Sequence, residues 1–184
     1  MSRIKFLREG FKDMKTTGAV TRSSKALCHG MIKPVDFTNA RLIIELGAGD
    51  GVITKHILKS MHKDCKLISF EVNPRFCAKL KEINDSRLII AEDSAENIGQ
   101  YIQDLKREDV DYVISAIPFV TLPNELGYDI VGKCQKYLKK GGLFVQLHYS
   151  FLVKKIYKDI FGDLSIKFVP WNIPPAFVFI CEKK

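Results

Sequence analysis

Residues 42–52 read LIIELGAGDGV. The stretch joins a continuous apolar run, interrupted only by Glu45, to glycines at 47, 49 and 51. Such a run predicts a strand buried on both faces, as in a parallel sheet. Glycine at every second position then bares the backbone where the strand turns, so a ligand can approach peptide groups that no Cβ shields. Apolar residues recurring at Val52, Ile53, Ile57 and Met61 predict a helix over 52–61, whose first N–H groups point at the same turn. A glycine-rich turn also serves purely structural ends, so its surroundings decide.

Working outward, β-rich runs alternate with helical patterns. Strands are predicted over 66–71 (KLISFE), 87–91, 111–117 and 143–149. Helices are predicted over 74–83, opened by Pro74, and over 95–105, 124–138 and 151–161. Lys139-Lys140-Gly141-Gly142 reads as the stop of the 124–138 helix, with cations on the negative end of its dipole. SIKFV (165–169) and AFVFICE (176–182) flank WNIPP with no helix between them, which predicts an antiparallel pair. The sum is an α/β fold with a mostly parallel seven-stranded sheet, helices on both faces and a C-terminal antiparallel hairpin. Residues 1–40 read as an N-terminal helical appendage, with two helices around TTGAVTRSS, and residues 41–184 as the domain.

The chain carries 29 Lys and Arg against 21 Asp and Glu, a net charge of +8. That excess favours a polyanionic partner, either nucleic acid or an anionic membrane surface. No apolar run approaches the ~20 residues of a membrane span, and the N-terminus lacks a signal-peptide core, so the expected location is cytoplasmic. Five dispersed cysteines without a CxxC pair predict reduced, buried thiols rather than a disulfide framework or a metal site.

Three acids end successive strands. Glu45 precedes the glycine turn, Glu71 closes the second strand about twenty residues on, and Asp93 follows the third. All three converge on one edge of the sheet, where open α/β folds bind ligands. A ring of carboxylates suits a ligand bearing positive charge and hydroxyls, and serves a pyrophosphate poorly.

ELGAGDG, Glu71 in FEVNP, Asp93-Ser94-Ala95 and the final hairpin together resemble a Rossmann-like class I S-adenosylmethionine-dependent methyltransferase, over residues 42–182. The resemblance implies S-adenosylmethionine as cofactor, with Gly47, Ala48, Gly49 and Gly51 against its methionine and ribose portion. It places Glu45 near the ammonium, Glu71 on the ribose hydroxyls and Asp93 with Ser94 at the adenine, with Val72, Ala95 and Ser115 also against the cofactor. A closer resemblance runs through GAVTRSSKAL, VNPRFC, SAIPFVTLP, KKGGLFVQLHYS and NIPPAFVFI, which are similar to bacterial phospholipid N-methyltransferases. These act on phosphatidylethanolamine. Arg22 departs from their pattern, which has proline there, and Ile117 stands where they have leucine.

That resemblance implies a lipid amine as acceptor. Ser115, Ala116, Ile117, Pro118 and Phe119 lie where the family holds the acceptor nitrogen. A lipid amine with a pKa of ~10 arrives protonated, so something must take its proton. His148 and Tyr149 close the fifth strand, and alternation lets only one of them face the cleft. Tyr149 is favoured by the family pattern and His148 by proton chemistry. Aromatic faces at Phe119 or Tyr149 could stabilise the cationic product. Arg22 or Lys25 could reach a headgroup phosphate, with Ser23 and Ser24 as donors or helix caps.

Ile4, Leu7, Phe11 and Met14 form an apolar stripe flanked by Arg3, Lys5, Arg8, Lys12 and Lys15. A basic amphipathic helix of this kind can lie in an anionic membrane interface, giving peripheral attachment. The same periodicity suits a helix packed on the domain. The rival family is the rRNA adenine dimethyltransferases, whose fourth strand ends in Asn-Leu/Ile-Pro-Tyr/Phe. Here Ala116 replaces the asparagine, and only two residues follow AFVFICE where those enzymes continue into an RNA-binding domain. A cofactor-binding domain without transferase activity is the third reading.

Overall fold

Parallel pairing radiates from the glycine-bearing strand. The structure, a computed structural model, describes residues 24–184. Strand β1 (Leu42–Leu46) is buried along its whole length between β2 (Lys66–Phe70) and β4 (Val110–Ser115), both parallel to it. Continuous apolarity is what a strand covered by helices on both faces requires. Beyond β2 lies β3 (Leu88–Ala91), and beyond β4 lies β5 (Leu138–His148). Strands β6 (Ser165–Val169) and β7 (Ala176–Glu182) complete a seven-stranded sheet in the order β3-β2-β1-β4-β5-β7-β6, with β7 antiparallel to both neighbours. The direction of progression reverses between β1 and β4, which opens a crevice at their carboxyl ends.

Two helical layers cover the sheet. On one face, α1 (Lys25–Ile32) and α2 (Val52–Ser60) bury Leu27, Met31, Ile53 and Ile57 against Ile43, Ile114 and Val145. On the other, α4 (Ile98–Asp104), α5 (Asn124–Tyr137) and α6 (Lys154–Phe161) bury Ile102, Ile130 and Tyr157 against Ile44, Val113 and Phe144. Helix α3 (Pro74–Lys81) joins β2 to β3, with Asn73 accepting from the Arg75 N–H as its cap and proline in its first turn. Residues 25–40, read from sequence as ahead of the domain, contribute Leu27, Cys28, Met31, Val35 and Ala40 to this core. The stripe at 4–14, and with it Arg22 and Ser23, lies outside the described residues.

Several boundaries differ from the sequence reading, each for a local reason. The Lys139–Gly142 segment belongs to β5 and does not stop the preceding helix. Leu138 pairs with Val110, the Lys139 ammonium ion-pairs with Asp111, and Gly141 and Gly142 exchange hydrogen bonds with Lys183 at the end of β7. Tertiary pairing overrides the local stop signal. The 95–105 helix is a 3-10 turn (Ala95–Asn97), capped by Ser94, followed by α4. Strand β4 ends at Ser115, so Ala116 and Ile117 lie in the turn beyond it. All five cysteines are buried and none forms a disulfide.

Candidate active site

Gly47 sits at the crossing of β1 and β4. Its φ of +74° is a left-handed conformation, and a Cβ there would meet the Ile117 backbone nitrogen and side chain at 3.3 Å. Only glycine lets the two strand ends approach this closely. Gly47 and Ala48 donate their N–H groups to the Phe70 carbonyl, at 2.9 and 3.1 Å, which ties the turn to β2. Gly51 caps α2. The cleft outside these ends opens to solvent and is lined by Gly47, Phe70, Glu71, Val72, Asp93, Ala95 and Ile117.

The three acids occupy different environments. Glu45 is 2% exposed. Its Oε2 accepts from Thr54 Oγ1 at 2.7 Å and Ser69 Oγ at 2.6 Å, while its Oε1 has no partner among the described residues. Burial pushes its pKa up to about 7, against the two hydroxyl bonds that lower it. Glu71, also 2% exposed, accepts from the Gly49 N–H and the Asn73 N–H, both at 2.8 Å. Asp93 accepts from the Ser94 N–H at 2.7 Å and from Asn97 Nδ2 at 2.9 Å. Ser94 is buried and bonds Glu96, so its hydroxyl serves as a helix cap. A bare turn, an orphaned carboxylate oxygen and a second buried carboxylate on the turn's own N–H fit a cationic, hydroxyl-bearing nucleoside.

At the end of β4, the row Leu46, Ser115 and Gln146 crosses the sheet in register. The Ile117 N–H donates to Ser115 Oγ at 3.4 Å. The Ile117 carbonyl accepts twice, from the Phe119 N–H at 2.9 Å and from Gln146 Nε2 at 2.9 Å, which uses both its lone pairs. Gln146 Nε2 also donates to the Leu147 carbonyl at 2.7 Å. Its Oε1 is buried without a partner among the described residues. Sequence reasoning passed over Gln146. Its signal was a lone amide inside the apolar run LFVQL.

Phe119 is 1% exposed, packed edge-on to Tyr157 at 6.2 Å, and so lies in the core. His148 is turned to the same layer. Its Nε2 lies 2.8 Å from the Tyr157 hydroxyl and its ring 4.6 Å from Phe179, with burial lowering its pKa to about 4. Tyr149 faces the opposite layer, half-buried, and bonds Asn172. Asn172, a second residue not singled out from sequence, also accepts from the Ser24 N–H at 3.2 Å and donates to the Pro174 carbonyl at 2.7 Å. Lys25 is exposed at the start of α1, and Ser24 caps that helix through the Leu27 N–H.

Comparison with known proteins agrees with this geometry. No protein-family model matches the chain. An ornithine lipid N-methyltransferase from Singulisphaera acidiphila is 31% identical over 180 residues, 96% of this chain and 94% of that one. Among solved structures, a Streptococcus mutans candidate methyltransferase in complex with S-adenosylhomocysteine superposes with a TM-score of 0.62 at 18% identity, covering 89% of this chain and 99% of its own. A candidate rRNA methylase from Clostridium thermocellum gives 0.65 at 17% identity, covering 90% and 98%. These two likenesses speak to the fold. The chain belongs to the class I S-adenosylmethionine-dependent methyltransferases, in the family of the ornithine lipid enzyme, and S-adenosylmethionine is its cofactor.

Proposed function

We propose that this methyltransferase acts on the primary amine of a membrane-lipid headgroup. The observation that carries the reading is the end-to-end relationship to a lipid N-methyltransferase. The ethanolamine of phosphatidylethanolamine is the acceptor that the motifs at SAIPF and NIPPAFVFI suggest, and the ornithine headgroup is the one that the relative's name suggests. Both present a flexible primary amine beside an anionic group.

When bound, S-adenosylmethionine supplies an electrophilic methyl carbon on a sulfonium. The chain's own residues do the rest. Glu45 Oε1, a buried carboxylate oxygen without a partner among the described residues, would meet the ammonium, and Glu71 and Asp93, which line the cleft, would meet the ribose and the adenine amine. On the acceptor side, the Ile117 carbonyl is saturated, so Gln146 Oε1, Ser115 Oγ and the Ala116 carbonyl are the groups left to orient an amine. Alignment of that lone pair and exclusion of water are the protein's main contribution to an in-line transfer. His148 stays neutral down to about pH 4 and is engaged by Tyr157, which leaves Tyr149 as the aromatic group of β5's end on the other face.

Incubation with methyl-labelled cofactor and vesicles containing phosphatidylethanolamine, ornithine lipid or neither, with rRNA as a separate acceptor, tests the reading. Label in the headgroup of either amine lipid supports it, and the stronger of the two names the substrate. Label in rRNA alone contradicts it.

A further inference from the structure

The large apolar side chains left exposed are concentrated. Leu152 and Trp171 are each 83% exposed, Phe168 57% and Phe151 48%. Phe151 and Leu152 follow β5, Phe168 is the penultimate residue of β6, and Trp171 lies in the turn between β6 and β7. Because His148 pairs with Phe177 and Val169 with Ala176, that turn stands on the carboxyl edge of the sheet, the edge that also carries the cofactor cleft. Phe151 and Phe168 are bridged by a shared ring: Phe177 lies 4.4 Å from Phe151 and 5.3 Å from Phe168. Leu152 adjoins Phe151 in the chain, and Trp171 follows Phe168 by three residues. All four lie along the rim beyond the acceptor end of the site, since strand order runs from the glycine turn at β1 through β4 and β5 to β7 and β6.

The charge around the patch is one-sided. Between residues 151 and 170 there are four lysines and two aspartates. Both aspartates are already taken, Asp159 by Lys155 and Asp163 by Lys184. Lys154, Lys158 and Lys167 have no ion-pair partner among the described residues. Exposed aromatic and aliphatic residues rimmed by free cations match an anionic bilayer interface, where rings sit at headgroup depth and lysines meet phosphates.

We propose that this β5–β7 rim is the surface by which the protein enters an anionic lipid bilayer, with Trp171 and Leu152 inserted beside the mouth of the acceptor site. The proposal rests on the lipid-amine reading and deepens it. A headgroup amine delivered at the end of β4 would leave its acyl chains over this rim, so the lipid need not leave the membrane.

Trp171 is the chain's only tryptophan, so its emission reports on the rim without any substitution. The expected result, with full-length protein, is a blue shift on adding vesicles that contain phosphatidylglycerol, and quenching by brominated acyl chains. Leu152→Ser together with Phe168→Ser should lower vesicle partition roughly tenfold or more while leaving transfer to detergent-dispersed lipid unchanged. Emission that is shielded from iodide before vesicles are added, and unchanged by them, would overturn the proposal. In that case deletion of residues 2–23 or dilution identifies the cover as this chain's own N-terminus or a second copy. Insertion of Trp171 without methyl transfer to any lipid would sink the lipid-amine reading and leave the rim standing; transfer without insertion would do the reverse.

Discussion

The Gly49 N–H donates to Glu71 Oε2 at 2.8 Å, which fastens the glycine turn after β1 to the carboxylate that ends β2. Gly49 has a φ of +57°, and a Cβ at this position would meet nothing within 4 Å. Gly49→Ala therefore carries a backbone cost alone, about 1 kcal/mol. The expected outcome is a drop of a few degrees in Tm together with a several-fold loss of cofactor affinity, read by thermal unfolding and calorimetry. Lost stability with unchanged affinity would show that the turn does not shape the binding site.

Glu45 gives the fold a pH signature. Its folded pKa near 7 lies above its ordinary value of 4.5, so the folded state holds the proton more tightly between the two. This contribution to stability is full below pH 4.5 and is lost as pH rises through 7. His148 opposes it: a folded value of about 4 against an ordinary 6.5 gives stability present above pH 6.5 and lost as pH falls through 4. Comparison with Glu45→Gln isolates the first group. The variant's stability relative to wild type should rise by roughly 3 kcal/mol from pH 4.5 to 7.5 in denaturant unfolding, while its cofactor affinity falls. A flat difference would mean that Glu45 is not strained by burial.

Gln146 separates acceptor from cofactor binding. Gln146→Met removes both donors to the Ile117 and Leu147 carbonyls and the orphaned Oε1, at a cost of about 1–3 kcal/mol. Steady-state kinetics should show kcat/KM for the lipid amine down about tenfold or more, with the cofactor Kd unchanged. Equal losses on both sides would assign Gln146 a general structural role.

The His148–Tyr157 bond is expected to be architectural. Tyr157→Phe should cost about 1–2 kcal/mol in unfolding and leave kcat within about twofold. Tyr149→Phe, on the opposite face, should lower kcat at little cost in stability. If the effects were exchanged, the group that serves the reaction would lie in the buried cluster.

Much of this was legible in the chain. LIIEL and the alternating runs marked the parallel strands, because covered parallel strands must be apolar throughout. WNIPP, too short for a crossover helix, marked the antiparallel pair. Glycine spacing and the strand-end acids located the cleft, since each is read from position alone. What stayed hidden depended on contacts distant in sequence. Leu138–Gly142 looked like a helix stop until paired with Val110 and Lys183. Phe119 looked like a platform until its ring met Tyr157. Gln146 and Asn172 sit inside motifs that point to the family without giving either residue a role, and their importance appears only with the carbonyls and N–H groups they hold.

Calorimetric titration of S-adenosylhomocysteine into wild type and Glu71→Ala tests the central claim most directly. The substitution strips the acceptor from the Gly49 and Asn73 N–H groups at the rim of the cleft. Saturable one-site binding to wild type, weakened at least tenfold in the variant, is predicted. Equal affinity in the two proteins, or no heat of binding in either, would contradict a site built on the glycine turn and its carboxylates.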